Sequence, residues 1–386
     1  MSIGNARLDL NHHQLFTWVP SYQSAERELT NINKPFVRRI YVFHFDSGCY
    51  TPPTMPEVLL LSDDDFRPLR EDPAYAGGPI DCVERAIRAH DQGKTRFQGI
   101  VDRNPGEFEG LRVALAAGTE TYTGLRLFGN PPHTRAFMLF DGTTRSMLAL
   151  MDYGVLNSLR VGAIAGVAAK YLAPNGAKVM GLLGSGWQAP PQVQSILNGV
   201  PGLELIRVYS PTKANRESFA ARMSQIHGIT VEPAESIEEA VHGADIVDLC
   251  APGHFDVKEP LLEIPWVKPG ALVISMAASQ LTEEFVLHAR VATVNWNSLT
   301  AEPSPRPPYD GLINKGLFSM EDVTELGPVM DGKADPRRTP DDTVIYDLTG
   351  GNVHDLFLAT WAYEWAKKHS LGLTFKLTGE ELPRDL

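Results

Sequence analysis

The stretch VMGLLGSGWQAPPQ, residues 179–192, decides how this chain is built. Its apolar run Val179–Leu183 has the length of a buried strand, and Gly184, Gly186 and Ala189 follow at the G-x-G-x-x-G/A spacing. The glycines permit a tight turn and a close approach of backbone to a pyrophosphate, while the small third residue lets a following helix pack tightly on the strand. Pro190 and Pro191 fit this reading if they fall in the first turn of that helix. There the N–H groups have no partner inside the helix, and a missing donor costs little. Trp187 and Gln188 complete the loop. Taken alone the spacing suits a glycine turn in any α/β protein, so the flanking sequence has to decide.

Downstream the pattern alternates. Strands are expected over 179–183, 205–210, 229–232, 245–250, 271–276 and 291–296, the first four separated by helical segments such as ESFAARMSQIHG and SIEEAVHG. This predicts a parallel sheet wrapped by helices, the context in which a glycine loop cradles a dinucleotide. Upstream, Ile80, Val83, Ala86 and Ile87 recur at helical spacing over 79–90, with Gly93 as a stop. The pieces 111–118, 123–129 and 134–152 read as antiparallel strands, with Asp141-Gly142 as a hairpin signal. Asn157 or Ser158 then caps a helix through LRVGAIAGVAAKYLA, closed by Pro174 and Gly176, which puts Arg160 in its first turn. A cation there opposes the helix dipole by roughly 0.3–1 kcal/mol, so its presence asks for a reason.

The second strand of the alternating region ends at Ser210, where an NAD-binding chain would carry an acidic ribose ligand. With Ser210, Thr212, Lys213 and Arg216 as donors and no carboxylate read beside them, the expected cofactor is NADP(H) in preference to NAD(H).

The 386 residues carry a formal net charge of −12 and are 43% hydrophobic, enough to bury a large core in two domains. The acidic balance argues against a nucleic-acid partner and for a small-molecule one. Cys49, Cys82 and Cys250 are too few and too dispersed for a disulfide framework or a zinc cluster, which fits a reducing cytoplasm. Adjacent His12 and His13 read as solvated, and no metal is expected. No apolar run reaches membrane-spanning length, so no membrane partner is expected. Residues 1–58 show no sustained period and read as an extension ending in a proline-rich link.

Three motifs in order, LALMDYGVLNSLRVGAIAGVAAKYLAP (148–174), LLGSGWQA (182–189) and YDLTGGNVHD (346–355), resemble the ornithine cyclodeaminase and μ-crystallin family over roughly residues 62–375. The resemblance implies a Rossmann domain (159–344) inserted in a second, α+β substrate-binding and dimerisation domain (59–158 and 345–386), and a homodimer. It also implies roles for residues. Arg160 matches an arginine that binds the substrate carboxylate beside the nicotinamide, and Arg112 a further cation of the pocket, with Arg96 and Arg103 competing for one more such place. Thr134 matches a cofactor-contacting threonine, and Trp187 and Gln188 the phosphate-loop pair. Cys250, Ala251, Ser275 and Met276 fall at strand ends where the adenosine and nicotinamide lie, and Thr349 in a loop that closes over the ligand.

Two departures from the family pattern bear on activity. Arg126 stands where the family carries a lysine, and an arginine holds a carboxylate well but makes a poor proton shuttle. Ser279 occupies the place of the cyclodeaminase aspartate, unless Glu283 or Glu284 is brought there by a different gap. The resemblance thus implies an NAD(P)H-dependent oxidoreductase acting on C–N bonds, reducing a small imino acid or oxidising an amino acid, with Arg126 and Arg160 at its centre. Two or three arginines without an obvious acidic partner suggest a substrate with more than one carboxylate. Asp347 and His354 are candidate acid–base or supporting groups. The alternatives are a deaminating cyclase using NAD catalytically, and a non-catalytic NADPH and small-ligand binder.

Overall fold

The computed structural model describes residues 57–101, 112–117, 121–129, 135–251, 261–276, 280–294, 297–300, 307–348 and 352–376. The extension expected over 1–58 therefore lies almost wholly outside them, as do Thr134, Ser279, Thr349, Arg103, Cys49, His12 and His13. Arg112 is described in its backbone only.

Among the described residues the strands run in chain order: β1 Glu57–Leu61, β2 Arg96–Val101, β3 Arg112–Ala117, β4 Tyr122–Phe128, β5 Arg135–Asp141, β6 Met147–Asp152, β7 Val179–Leu183, β8 Leu205–Tyr209, β9 Thr230–Pro233, β10 Ile246–Leu249, β11 Leu272–Ser275, β12 Arg290–Thr293, β13 Val323–Glu325, β14 Val344–Asp347 and β15 Leu373–Lys376. The helices are α1 Asp63–Glu71, α2 Gly77–Asp91, α3 Gly154–Leu172, α4 Ala189–Gly199, α5 Lys213–His227, α6 Ile237–Val241, α7 Glu283–His288, α8 Asn297–Thr300, α9 Tyr309–Asn314, α10 Leu326–Met330 and α11 Asn352–Lys368.

The strands form two sheets. One has the order β13-β12-β14-β11-β10-β7-β8-β9 with every pairing parallel. Its inner strands β10, β11 and β14 are buried throughout, as a sheet covered by helices on both faces requires. The chain lays β8 and β9 on one side of β7 and then returns to lay β10 on the other, so the direction of winding reverses at the β7/β10 boundary. A crevice outside the carboxyl ends of the strands at such a switch point is where this architecture binds ligands. The other sheet, β15-β1-β6-β5-β4-β3-β2, is antiparallel except where β1 runs parallel to β6.

Helix α3 joins the two. Val155, Leu156 and Leu159 pack into the core of the mixed sheet, whereas Val161, Ile164, Val167 and Leu172 pack into one core face of the parallel sheet. Arg160 sits at the handover between the two cores and is buried.

Several sequence expectations are corrected. Helix α3 begins at Gly154 with Tyr153 as its N-cap, so Asn157 and Ser158 are internal and Arg160 lies in the second turn. The side chain of Asp63 on α1 supplies the missing cap by accepting from the Val155 N–H at 2.7 Å. The hairpin expected at Asp141-Gly142 does form between β5 and β6, through a turn longer than two residues: the Asp141 carboxylate accepts from the Thr143 and Thr144 N–H groups, and Arg145 takes a positive φ of 65° before β6. Strand β1 crosses the boundary set at 58, and β14 crosses the one set at 344/345 while pairing inside the parallel sheet.

Candidate functional site

The glycine loop follows β7. Gly184 has φ +119°, and a Cβ on it would stand 2.8 Å from the Cys250 carbonyl carbon, so only glycine fits between the ends of β7 and β10. Helix α4 starts at Ala189, which is fully buried against the sheet. Pro190 and Pro191 are its second and third residues, inside the first turn. Among the described residues the N–H groups of Ser185, Gly186, Trp187 and Gln188 make no hydrogen bond, which leaves four consecutive donors at a helix start. This is the arrangement that anions such as a diphosphate occupy. Trp187 is half exposed; its ring lies under the Arg70 guanidinium at 3.5 Å, and its carbonyl accepts from Arg70 at 2.7 Å.

At the neighbouring strand ends, Cys250 and Ser275 are buried and Ala251 and Met276 are half-buried. Gln280 ties them together, donating to the carbonyls of Leu249 and Ala251 and accepting from the Ser275 hydroxyl at 3.4 Å. Gln192 of α4 donates to the Met276 sulfur. Neither glutamine has a motif-like signature in the sequence. Asp347 ends β14 level with Ser275, and His354 is buried on α11.

At the carboxyl end of β8, Ser210 accepts from the Ser185 hydroxyl at 2.9 Å. Arg216 is buried and donates to the Ser210 carbonyl, while Lys213 begins α5 after Thr212. The sequence reading placed no carboxylate here, and that is corrected: Glu235, just after β9, pairs with Arg216 at 2.5 Å and lies 4.0 Å from Lys213.

The densest cluster joins Arg126 of β4, Arg160 of α3 and Asp355 of α11. Arg126 Nη1 donates to Asp355 Oδ2 and Arg160 Nε to Asp355 Oδ1, both at 2.9 Å. The Asn157 side-chain oxygen accepts from both arginines, at 3.0 and 2.9 Å, and the Tyr153 hydroxyl donates to Asp355 Oδ1 at 3.0 Å. Burial opposes ionisation of Asp355, but the two guanidiniums and the tyrosine hydrogen bond hold its carboxyl below the usual carboxylate range. Burial and the neighbouring carboxylate push the Tyr153 hydroxyl well up, so it stays protonated. Arg126 keeps its charge, Asp355 outweighing the cost of burial. Arg160 Nη1 makes no hydrogen bond among the described residues and is the free end of the network.

One expectation changes: the arginines do have an acidic partner, in Asp355. Asp355 lies in the third motif, and nothing in its spacing ties it to Arg126 or Arg160. Arg96 does not join them: it is exposed and donates to the carbonyls of Gly93 and Thr95. Asp355 follows the carboxyl end of β14 by eight residues, which links the cluster along the chain to that end of the parallel sheet.

These features define a Rossmann-type α/β protein with a polar, arginine-centred cluster tied to the ligand-binding edge of its parallel sheet. The chain belongs to the ornithine cyclodeaminase/mu-crystallin family, whose model matches residues 115–370. It is 32% identical over 301 residues to ketimine reductase mu-crystallin of Rattus norvegicus, covering 75% of this chain and 88% of that one. It is 28% identical over 342 residues to an alanine dehydrogenase of Archaeoglobus fulgidus, covering 83% and 98%. Among solved structures, an archaeal alanine dehydrogenase dimer with bound NAD superposes with a TM-score of 0.72 at 23% identity, covering 84% of this chain and all of that one. No helix among the described residues is long and apolar enough to cross a membrane.

Proposed function

We propose that this protein is an NAD(P)H-dependent oxidoreductase acting on C–N bonds, reducing a small imino acid or running the reverse oxidation of an amino acid. The observation that carries the reading is the Arg126–Asp355–Arg160 network with its free Arg160 Nη1, attached to the edge that bears four unbonded loop amides. Relatives that are a ketimine reductase and an alanine dehydrogenase support it. The loop suits a dinucleotide: donors face outward at a helix start, and Gly184 admits no side chain. When bound, such a cofactor supplies a hydride for the α-carbon of the C=N bond, while the nitrogen gains a proton and the amine results.

The chain's own residues bind and orient. Two fixed guanidiniums hold the substrate carboxylate, with Arg160 Nη1 as the direct donor, and so set the α-carbon against the nicotinamide face. Asp355 stays ionised and Tyr153 stays protonated, so this cluster positions and does not exchange protons. Two cations facing one carboxylate leave one net positive charge, which suits one substrate carboxylate; the argument for a dicarboxylate loses its premise. Arg126, committed to Asp355, cannot serve as the proton-carrying lysine of a cyclodeaminase. Cys250, Ala251, Ser275 and Met276 border the cofactor in this reading, and the mixed sheet with α11 forms the substrate and dimerisation part around the inserted parallel sheet. Two free, buried thiols, Cys82 and Cys250, are in keeping with a cytoplasmic setting.

The test is a screen of small keto acids with ammonia or simple amines, followed at the nicotinamide absorbance. Stoichiometric cofactor oxidation is expected. Ammonia release from a diamino acid with no net cofactor change would replace this reading by deaminating cyclisation, and tight cofactor binding without any turnover by a ligand-binding role.

A further inference from the structure

We infer that Glu235 is a specificity-determining residue, a built-in counter-ion that fills the place of an adenosine 2′-phosphate and makes this chain select NAD(H) over NADP(H); this rests on the dinucleotide reading above. In a sheet of this winding the adenosine ribose lies at the carboxyl end of the second strand, here β8, whose turn begins at Ser210. The groups around that turn are the hydroxyls of Ser210 and Thr212, the cations Lys213 and Arg216, and the carboxylates of Glu217 and Glu235.

Arg216 is fixed beneath the turn, with Nη1 donating to the Ser210 carbonyl at 3.3 Å and Nη2 to Glu235. Lys213 Nζ lies between Glu217 Oε1 at 3.7 Å and Glu235 Oε1 at 4.0 Å. Each cation that could meet a 2′-phosphate thus already has a carboxylate. A second phosphate would bring a charge of about −1.5 to −2 against two glutamates and two cations, a cluster with no surplus positive charge to receive it. An unmodified ribose brings no such charge.

Glu235 is presented from the adjacent strand by its own local structure. The residue lies two positions past the end of β9, its N–H donates to the Glu239 carboxylate at 2.7 Å, and the next residue, Ser236, caps α6 by accepting from the Glu239 N–H. The backbone is therefore held while the carboxylate remains about two-thirds exposed, at 66%. Only the carboxylate of this pair is open to water, the Arg216 guanidinium being buried, so the variant that tests the charge must keep a side-chain acceptor for Arg216.

The experiment is titration of NADH and NADPH against the full chain and its Glu235→Gln variant, read by quenching of tryptophan fluorescence, with thermal melts alongside. The wild type should bind NADH more tightly by about tenfold or more. Glu235→Gln should tighten NADPH by about tenfold and leave NADH within about threefold, with the melts showing that the variant remains folded. Adding Lys213→Ala to Glu235→Gln should take the gained NADPH affinity away. A wild type that prefers NADPH, or a Glu235→Gln variant that changes both cofactors equally, overturns the inference while leaving the dinucleotide reading in place. A wild type that binds neither cofactor overturns both.

Discussion

At Arg160 two demands meet in the proposed function, because the side chain anchors a buried carboxylate and its Nη1, unbonded among the described residues, is the nitrogen assigned to the substrate. Arg160→Ala removes one of two counter-ions from Asp355. Breaking a buried pair costs roughly 3–5 kcal/mol, so a clear fall in melting temperature should accompany a loss of at least about tenfold in kcat/KM. Arg160→Lys should recover more of the stability than of the efficiency, since a point charge cannot reproduce the planar fork. Unaltered kinetics on a genuine substrate in Arg160→Ala would remove the residue from the site. Asp248 gives a second test at this scale. It is fully buried on β10, neither carboxylate oxygen has a hydrogen-bond partner among the described residues, and burial pushes its pKa up to about 8. The unfolded chain loses this proton near pH 4 and the folded chain near pH 8, so the group's contribution to stability is lost as pH rises across that window. Asp248→Asn should flatten the fall in melting temperature between pH 5 and pH 8, sparing on the order of 3 kcal/mol. Identical slopes in both proteins would contradict the burial argument. Asp355 acts in the opposite sense: its lowered pKa adds stability that is lost on acidification. Of these residues, Arg160 was legible because a cation near a helix start breaks a local rule. Asp355 and Glu235 were not, because their partners are brought together by tertiary packing alone.

Helix α4 carries the glycine loop, and its position depends on contact with α3. A Cβ on Gly166 would stand 2.6 Å from the Ser195 carbonyl oxygen, and one on Gly162 would collide with the Pro191 carbonyl. Gly166→Val should therefore force the helices apart, lower stability by roughly 1–3 kcal/mol, and weaken dinucleotide affinity through the displaced loop. Retained affinity together with lost stability would show that loop and helix crossing are uncoupled. The alternating elements from β7 to β12 were readable because short apolar-rich segments, continuous or nearly so in β7 and β11 and interrupted by Arg207, Glu232 and Asp248 in β8, β9 and β10, were bracketed by turn and helix signals. Strand β14 was missed: Val344–Asp347 has four residues and follows a stretch, TPDDT, that reads as loop. The start of α3 was misplaced because its cap comes from Asp63, about ninety residues upstream, and no local signal announces a cap donated by another helix.

In the whole molecule, the mixed sheet ends, among the described residues, in two edge strands, β2 and β15. Exposed edges invite pairing or need covering. Pairing of two copies through this sheet is therefore the expected assembly, and a monomeric mass at micromolar concentration in solution would exclude it. The order in which the chain leaves the ribosome adds a further consequence. Arg126 and Arg160 emerge roughly two hundred residues before Asp355, their shared partner, which arrives on α11 after the last strand of the parallel sheet. Until then, folding around the two arginines would enclose like charges with nothing to neutralise them. A nascent or prematurely stopped chain is thereby penalised at the spot where the finished one would do its chemistry, so that completing synthesis and assembling the site become one event.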